Sequence, residues 1–263
     1  MASPTEARRT LRWAARIAVP AVLLLTAMVL HSRHLVAPAL FLSLNHAAAA
    51  WPDRLWSGLT DLGHTGVAVG LLAPLLLWRP AWFMAVLLTV PFGSAFARIA
   101  KLGFDAPRPA ALLDPTQFHV IGPVLTSQSF PSGHTITAFA LAAAISGACR
   151  PRRAALTMAL LLLATLIGLS RIAVGAHWPL DVLAGAAGGW LSGCCGVALL
   201  QRWPMVGSAL LWRHVGGVVL ALTGLSLWSL DTGYPLGDPL RQVAVALALV
   251  VSVWQLVLVR ATK

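Results

Sequence analysis

Charge is what this chain has little of: 10% of its residues are Asp, Glu, Lys or Arg, and only 8 of its 263 residues are acidic. A soluble domain carries about 25% charged residues. With 58% hydrophobic residues and a mean hydropathy of +0.80, the chain lacks the polar surface to coat a water-soluble core. Its length would suit one or two soluble domains, but its composition calls for lipid as solvent and a single helical bundle. The acidic shortage leaves a net charge of +11. The basic residues punctuate apolar runs and form no basic face, which argues against nucleic acid and for membrane topology and anion handling. Cysteine is scarce too. Cys149, Cys194 and Cys195 sit in or at the end of apolar runs and no C-x-x-C pair occurs, so they read as small packing residues. There is no internal repeat.

What the chain has in quantity is apolar runs long enough to cross a bilayer, which takes about 20 residues. Spans are expected near 13–30, 62–78, 81–100, 132–149, 154–170, 182–200, 214–230 and 241–259. Arg8, Arg9, Arg12 and Arg16 before apolar Ile17–Leu30, with Ala37-Pro38-Ala39 beyond, resemble a cleavable signal; the many later spans favour an uncleaved first helix. Residues 36–59 carry Asn45, Pro52, Asp53 and Arg54 and are too polar to span, so an interfacial or re-entrant helix is expected there. A polar loop, 102–130, contains Pro107, Pro109, Pro115 and Pro123.

Orientation follows from the basic residues. With a cytoplasmic N-terminus, the inside receives Arg8, Arg9, Arg12, Arg16, Arg79, Arg150, Arg152, Arg153, Arg202, Arg213, Arg260 and Lys263. The outside receives the smaller set, Arg33, Arg54, Arg98, Lys101, Arg108, Arg171 and Arg241.

Three polar constellations interrupt the apolar chain. Residues 101–109 run Lys101-Leu-Gly-Phe-Asp-Ala-Pro-Arg108-Pro109. Residues 131–134 are Pro131-Ser132-Gly133-His134. Residues 170–181 run Ser170-Arg171-Ile-Ala-Val-Gly-Ala-His177-Trp-Pro-Leu-Asp181. The span assignment puts all three at one membrane face: Lys101 ends an outward span, while His134 and Asp181 each begin an inward one.

Each constellation has a chemical use. Lys101, Arg108 and Arg171 offer a point charge and two planar forks to phosphate oxygens. Ser132 stands at a helix N-cap position, where the N–H groups behind it, including that of Gly133, face outward from the positive end of the helix dipole. Glycine there lets an anion approach the backbone. Pro179 suits the first position of a helix, placing Asp181 in its first turn and His177 just before it. A carboxylate four residues past a histidine can accept from one ring N–H and leave the other nitrogen aimed at an electrophile. His134 is a second imidazole, able to protonate a leaving oxygen. Taken singly, each has an ordinary reading. Lys101 and Arg108 suit interfacial anchors, Pro-Ser-Gly a plain helix start, and His177 with Asp181 a structural pair. Their joint spacing and sidedness favour the chemical reading. His31, His34, His46, His64, His119 and His214 lack such company and read as interfacial, as do Trp212, Trp228 and Trp254.

The pattern K-x6-RP, PSGH, SR-x5-H-x3-D resembles the signature of the type-2 phosphatidic acid phosphatase superfamily, which also holds glucose-6-phosphatases and vanadium haloperoxidases. All three blocks match at every signature position. The resemblance implies an all-α, polytopic membrane bundle. It has a six-helix phosphatase core within residues 1–200 and two additional transmembrane helices in 201–263, about which the resemblance says little. It implies that His177 attacks phosphorus to form a phosphohistidine while Asp181 holds its ring. Lys101, Arg108, Arg171 and the backbone around Ser132 and Gly133 would stabilise the pentavalent state. His134 would protonate the leaving group and then activate water. No metal and no cofactor is implied, in keeping with the lack of a carboxylate cluster. Membrane embedding points to a lipid phosphate in the bilayer and away from vanadate chemistry. For a bacterial chain the expected setting is the inner membrane, with the site facing the periplasm. The favoured substrate is undecaprenyl pyrophosphate; phosphatidylglycerol phosphate, phosphatidic acid and a lipid A phosphate are alternatives. A phosphotransferase would use the same residues. An anionic-lipid transporter would instead spread its charges over several depths.

Overall fold

The computed structural model describes residues 4–32, 38–149 and 154–258, and among them the chain is all-α. In order, the helices are α1 (Pro4–Ser32), α2 (Pro38–Ala48), α3 (Asp53–Leu62), α4 (Thr65–Leu71), α5 (Leu75–Trp78), α6 (Pro80–Phe104) and α7 (Pro109–Leu112). They continue with α8 (Gly133–Ala148), α9 (Ala154–Ala173), α10 (Pro179–Arg202), α11 (Met205–Ser208), α12 (Leu210–Ser229) and α13 (Asp238–Val253). Arg33, Arg150, Arg152, Arg153, Arg260 and Lys263, used above for orientation, lie outside the described residues, as do His34 and Ala37.

Among the described residues, five helical stretches are long and apolar enough to cross a membrane: Pro80–Leu112, Ala154–Ala173, Pro179–Arg202, Leu210–Ser229 and Pro235–Val257. No more than half of each apolar window is buried, and Ile17–Ser32 and Gly133–Ala148 are shorter apolar helices. Leu162, Leu222, Leu225, Trp228 and Val250 stand outward as large exposed side chains. So much apolar surface is tolerable only against lipid.

Two expected elements take a different form. The span near 62–78 is not one helix: α4 stops at Leu71, and α5 restarts after Pro74, which has no N–H to continue the ladder. The polar segment 36–59 forms two short helices, α2 and α3, joined by a turn at Ala49–Pro52. Each buries polar side chains inward: Asn45 on α2, and Ser57, Thr60 and Asp61 on α3.

The centre of the bundle is α10, which packs on α8, α6 and α1; α8 also meets α9 and α6. Glycines set the closeness of that contact. A Cβ on Gly189 would run into the Ile136 carbonyl of α8, and one on Gly193 into that of Ala140. Close backbone approach of this kind lets apolar helices associate without a hydrophobic driving force between them. The pair α12 and α13 packs against itself and against α4. Because α6 and α9 end where α8 and α10 begin, the polar constellations share one end of the bundle.

Candidate active site

Each site residue sits where a helix starts or stops. Lys101 is half-buried in the last turn of α6. Ser132 is the N-cap of α8 and is fully buried. Its hydroxyl does not cap the backbone; it accepts from the Thr135 hydroxyl at 2.9 Å. The space in front of Gly133 is open, with nothing within 4 Å of where a Cβ would stand. The first α8 amides are thereby left accessible at a positive helix end.

Arg171 lies in the last turn of α9. Beyond it the chain reverses through Gly175 (φ +77°), and the N–H groups of Ala176 and His177 both return to the Arg171 carbonyl at 3.0 and 3.1 Å. Only glycine takes that left-handed conformation freely at a helix end. The turn delivers His177 beside Arg171, and Pro179 then opens α10 with Asp181 in its first turn.

The constellations are tied to one another by backbone bonds. The Ser132 amide donates to the Asp181 carbonyl (3.1 Å), the Ser129 amide to the Ala106 carbonyl (2.8 Å), and the Arg108 amide to the Thr126 carbonyl (2.9 Å). The indole of fully buried Trp178 donates to the Pro107 carbonyl at 2.9 Å. The long loop is therefore laced onto the helix ends.

Within this frame Asp181 Oδ2 faces His177 Nδ1 at 3.3 Å and accepts from the Trp178 amide (2.9 Å) and the Ser129 hydroxyl. Arg108 is nearly buried. Its Nε donates to the Ser127 carbonyl (2.7 Å), and its Nη1 lies 2.9 Å from the Ala176 carbonyl and 3.2 Å from His177 Nε2. Burial, and after it the charges of Arg108, Arg171 and Lys101, hold the His177 imidazole well below its ordinary pKa. The ring is thus neutral, as a nucleophile requires. Lys101 lies within electrostatic reach of Arg108, Arg171 and Asp181. His134, in the first turn of α8, faces His64 edge-on at 6.3 Å between ring centroids.

The structure brings all eight sequence-derived residues to one end of the bundle, and it adds partners that the sequence motifs do not contain. Asn45 Nδ2 donates to the carbonyls of His119, Ile172 and Ala173 at 2.9 to 3.1 Å, and its Oδ1 accepts from the His119 amide at 2.7 Å. One side chain so clamps the loop to the end of α9. Ser129 holds Asp181, while Thr60 and Tyr234 hold Arg171 at 3.1 and 3.0 Å. Of the histidines expected to be interfacial, His119 pairs with Asp53 at 2.8 Å, and His64 lines a cavity with His134. That cavity, about 240 Å³, lies between α4, α6 and α8, with His134, Ile136 and Thr137 near the start of α8, Leu141 further along it and Val90 on α6.

A family model described as the PAP2 superfamily matches residues 81–204. The crystal structure of Aquifex aeolicus LpxE superposes with a TM-score of 0.54 at 32% identity, covering 61% of this chain and 93% of that one. This chain belongs to the PAP2 superfamily. It is 29% identical over 156 residues to an undecaprenyl-diphosphatase of Sulfolobus acidocaldarius, spanning 73% of that protein. It is 36% identical over 116 residues to a lipid A 1-phosphatase of Rhizobium etli, and 40% identical over 78 residues to phosphatidylglycerophosphatase B of Escherichia coli. The chain spans 48% and 31% of the length of those two relatives. Family, fold and relatives make it a membrane lipid phosphatase of the PAP2 kind.

Proposed function

We propose that the chain cleaves a lipid pyrophosphate, with undecaprenyl pyrophosphate as the favoured substrate, by way of a phosphohistidine on His177. The observation that carries this reading is the sandwich around His177: a carboxylate on Nδ1 and a guanidinium at Nε2, all three side chains buried. As the incoming phosphate oxygens take over the Arg108 Nη1 donor, the freed Nε2 lone pair attacks the terminal phosphorus, forming an N–P bond as the P–O bond to the lipid phosphate breaks. His134, protonated once the anionic substrate is bound beside it, gives that proton to the departing oxygen and is left as the neutral base. A water molecule, deprotonated by His134, then attacks the phosphohistidine, releasing inorganic phosphate and restoring His177. Arg108, Arg171, Lys101 and the α8 amides at Gly133 stabilise the charge on the equatorial oxygens. Their value in a water-poor site is larger than in solution.

The cavity beside His134 supports a lipid leaving group: apart from His64, Thr65, Thr89, Ser94, His134 and Thr137, its lining is glycine and apolar side chains. The relative named undecaprenyl-diphosphatase supports the diphosphate choice, and those named for lipid A and phosphatidylglycerophosphate keep monophosphate lipids as the second reading. The distribution of basic residues supports an outward-facing site and a cytoplasmic N-terminus in a bacterial inner membrane.

The test is phosphate release by detergent-purified protein, in EDTA, from a panel of lipid phosphates, beside His177→Ala. Release that survives EDTA, is fastest on the undecaprenyl diphosphate and vanishes in the variant is the expected result. Release from the panel at equal rate by wild type and His177→Ala would overturn it.

A further inference from the structure

The family match ends at residue 204, yet the chain continues into α12 and α13. The turn joining these helices does not stand free at the membrane surface. It is shaped by an Asp231 carboxylate accepting from the Gly233 amide (2.7 Å) and by Gly233 itself at φ +78°. It then drives Tyr234, the chain's single tyrosine, into the site end of the bundle, where it is 3% exposed. There the ring packs with Trp56, Ile121, Ala173, Val174 and Ala176. The long loop makes room for it with another glycine. Gly122 sits at φ +79°, and a Cβ there would stand 2.7 Å from the Tyr234 ring.

What Tyr234 meets is Arg171. The guanidinium Nη1 donates to the phenol oxygen at 3.0 Å and to the Thr60 hydroxyl at 3.1 Å, and its central carbon lies 5.5 Å from the Tyr234 ring centre. Thr60 is itself bonded to Ser170 at 2.9 Å, so both acceptors are fixed. Arginine is a long side chain with many rotamers, and bidentate phosphate recognition works only when its planar fork is aimed. A carboxylate partner would aim the fork and also cancel the charge that the transition state uses. A phenol and its π face aim it and bring no carboxylate charge against it. With Nη1 so held, the buried Nε of Arg171 makes no hydrogen bond among the described residues.

We propose that Tyr234 is a positioning residue of the phosphate site, so that the C-terminal helix pair completes an active site whose reacting groups all lie in the preceding core. This rests on the reading of Arg171 as a phosphate ligand. Tyr234 acts through Arg171 and does not touch the reacting phosphorus. A turn supplied from outside the family core therefore sets how well the core's arginine is aimed.

The experiment uses the full chain in detergent, with Tyr234→Phe, Tyr234→Leu, Arg171→Ala and the double variant Arg171→Ala/Tyr234→Phe. Two quantities are read: orthovanadate affinity by ligand-induced thermal shift, which needs no lipid substrate, and kcat and KM for phosphate release. Tyr234→Phe keeps the packing and removes one hydrogen bond to a cation. It is expected to weaken vanadate binding and lower kcat by about 3- to 10-fold, with KM and the ligand-free Tm close to wild type. Tyr234→Leu should lose more on both readouts. In the Arg171→Ala background the added Tyr234→Phe change should have no further effect. Wild-type vanadate affinity and kcat in Tyr234→Phe, or a full further loss in the Arg171→Ala background, would overturn the proposal and leave Tyr234 as packing. Unaltered vanadate affinity in Arg171→Ala alone would instead strike the reading of Arg171, and this proposal with it.

Discussion

Arg108 Nη1 lies 3.2 Å from His177 Nε2. A guanidinium can only donate, so Nε2 is the accepting nitrogen and the ring proton sits on Nδ1, toward Asp181 Oδ2 at 3.3 Å. In the proposed mechanism, the arginine assigned to phosphate therefore also sets the tautomer of the histidine assigned to attack it. Arg108→Lys keeps the charge and loses the fork that reaches the Ser127 and Ala176 carbonyls and His177 together. We expect kcat to fall by about 10²-fold in that variant, as for loss of one transition-state donor, with the fold retained. A rate within twofold of wild type would mean that charge alone suffices at this position.

Asp181→Asn tests the other side of the ring. The amide oxygen still accepts from Ser129 and from the Trp178 amide, so the start of α10 should survive. The same oxygen still faces His177 Nδ1, so what the variant removes is the negative charge beside a ring that turns cationic on attack. A loss of about 10²-fold or more in kcat is expected, as for removal of one electrostatic stabiliser of the transition state. Activity close to wild type would make this aspartate structural only.

Asn45→Ala should be costly for both stability and rate. It leaves the His119, Ile172 and Ala173 carbonyls and the His119 amide without their shared partner. The Ile172 carbonyl keeps its bond from the Gly175 amide; a buried group left with no other partner costs about 1–3 kcal/mol. A fall of several degrees in Tm, together with lower kcat from a loosened Arg171–His177 turn, is the expected outcome. Unchanged Tm and kcat would show that the clamp is dispensable.

The depressed pKa of His177 has a sign that can be checked. The unfolded chain takes up a proton at this residue below an ordinary value of 6.5, and the folded chain does so only at much lower pH. The unfolded state then binds more protons, so stability drops as pH falls through 6.5 and keeps dropping until the folded ring is protonated. His177→Gln lacks that proton. Between pH 7 and pH 5 its Tm should decline less than that of wild type. An equal or steeper decline would mean that His177 is not held neutral by the fold.

The motifs were legible in the sequence because their chemistry is concentrated: a lysine, two arginines, two histidines and an aspartate in three short blocks of a chain only 10% charged. Their shared end of the bundle followed from the alternation of apolar runs. The residues that hold them were not legible. Asn45 looked only like a reason why residues 36–59 could not span, yet that polarity is what lets α2 clamp the loop at His119 to the end of α9. Thr60, Ser129 and Tyr234 are common residue types whose role exists only through contacts 52 to 111 residues away in sequence. The break at Pro74 was visible as a proline within an apolar run, but mean apolarity hid it, because hydropathy does not register a missing backbone N–H.

The central claim is that His177 carries the phosphoryl group. It is tested most directly by acid-free rapid quench of the purified protein with a terminally ³²P-labelled lipid diphosphate, followed by mapping of the label. The account predicts transient, acid-labile and base-stable label on His177, formed and lost within the turnover time and absent from His177→Ala. Full phosphate release by His177→Ala, or label on another residue, would contradict it.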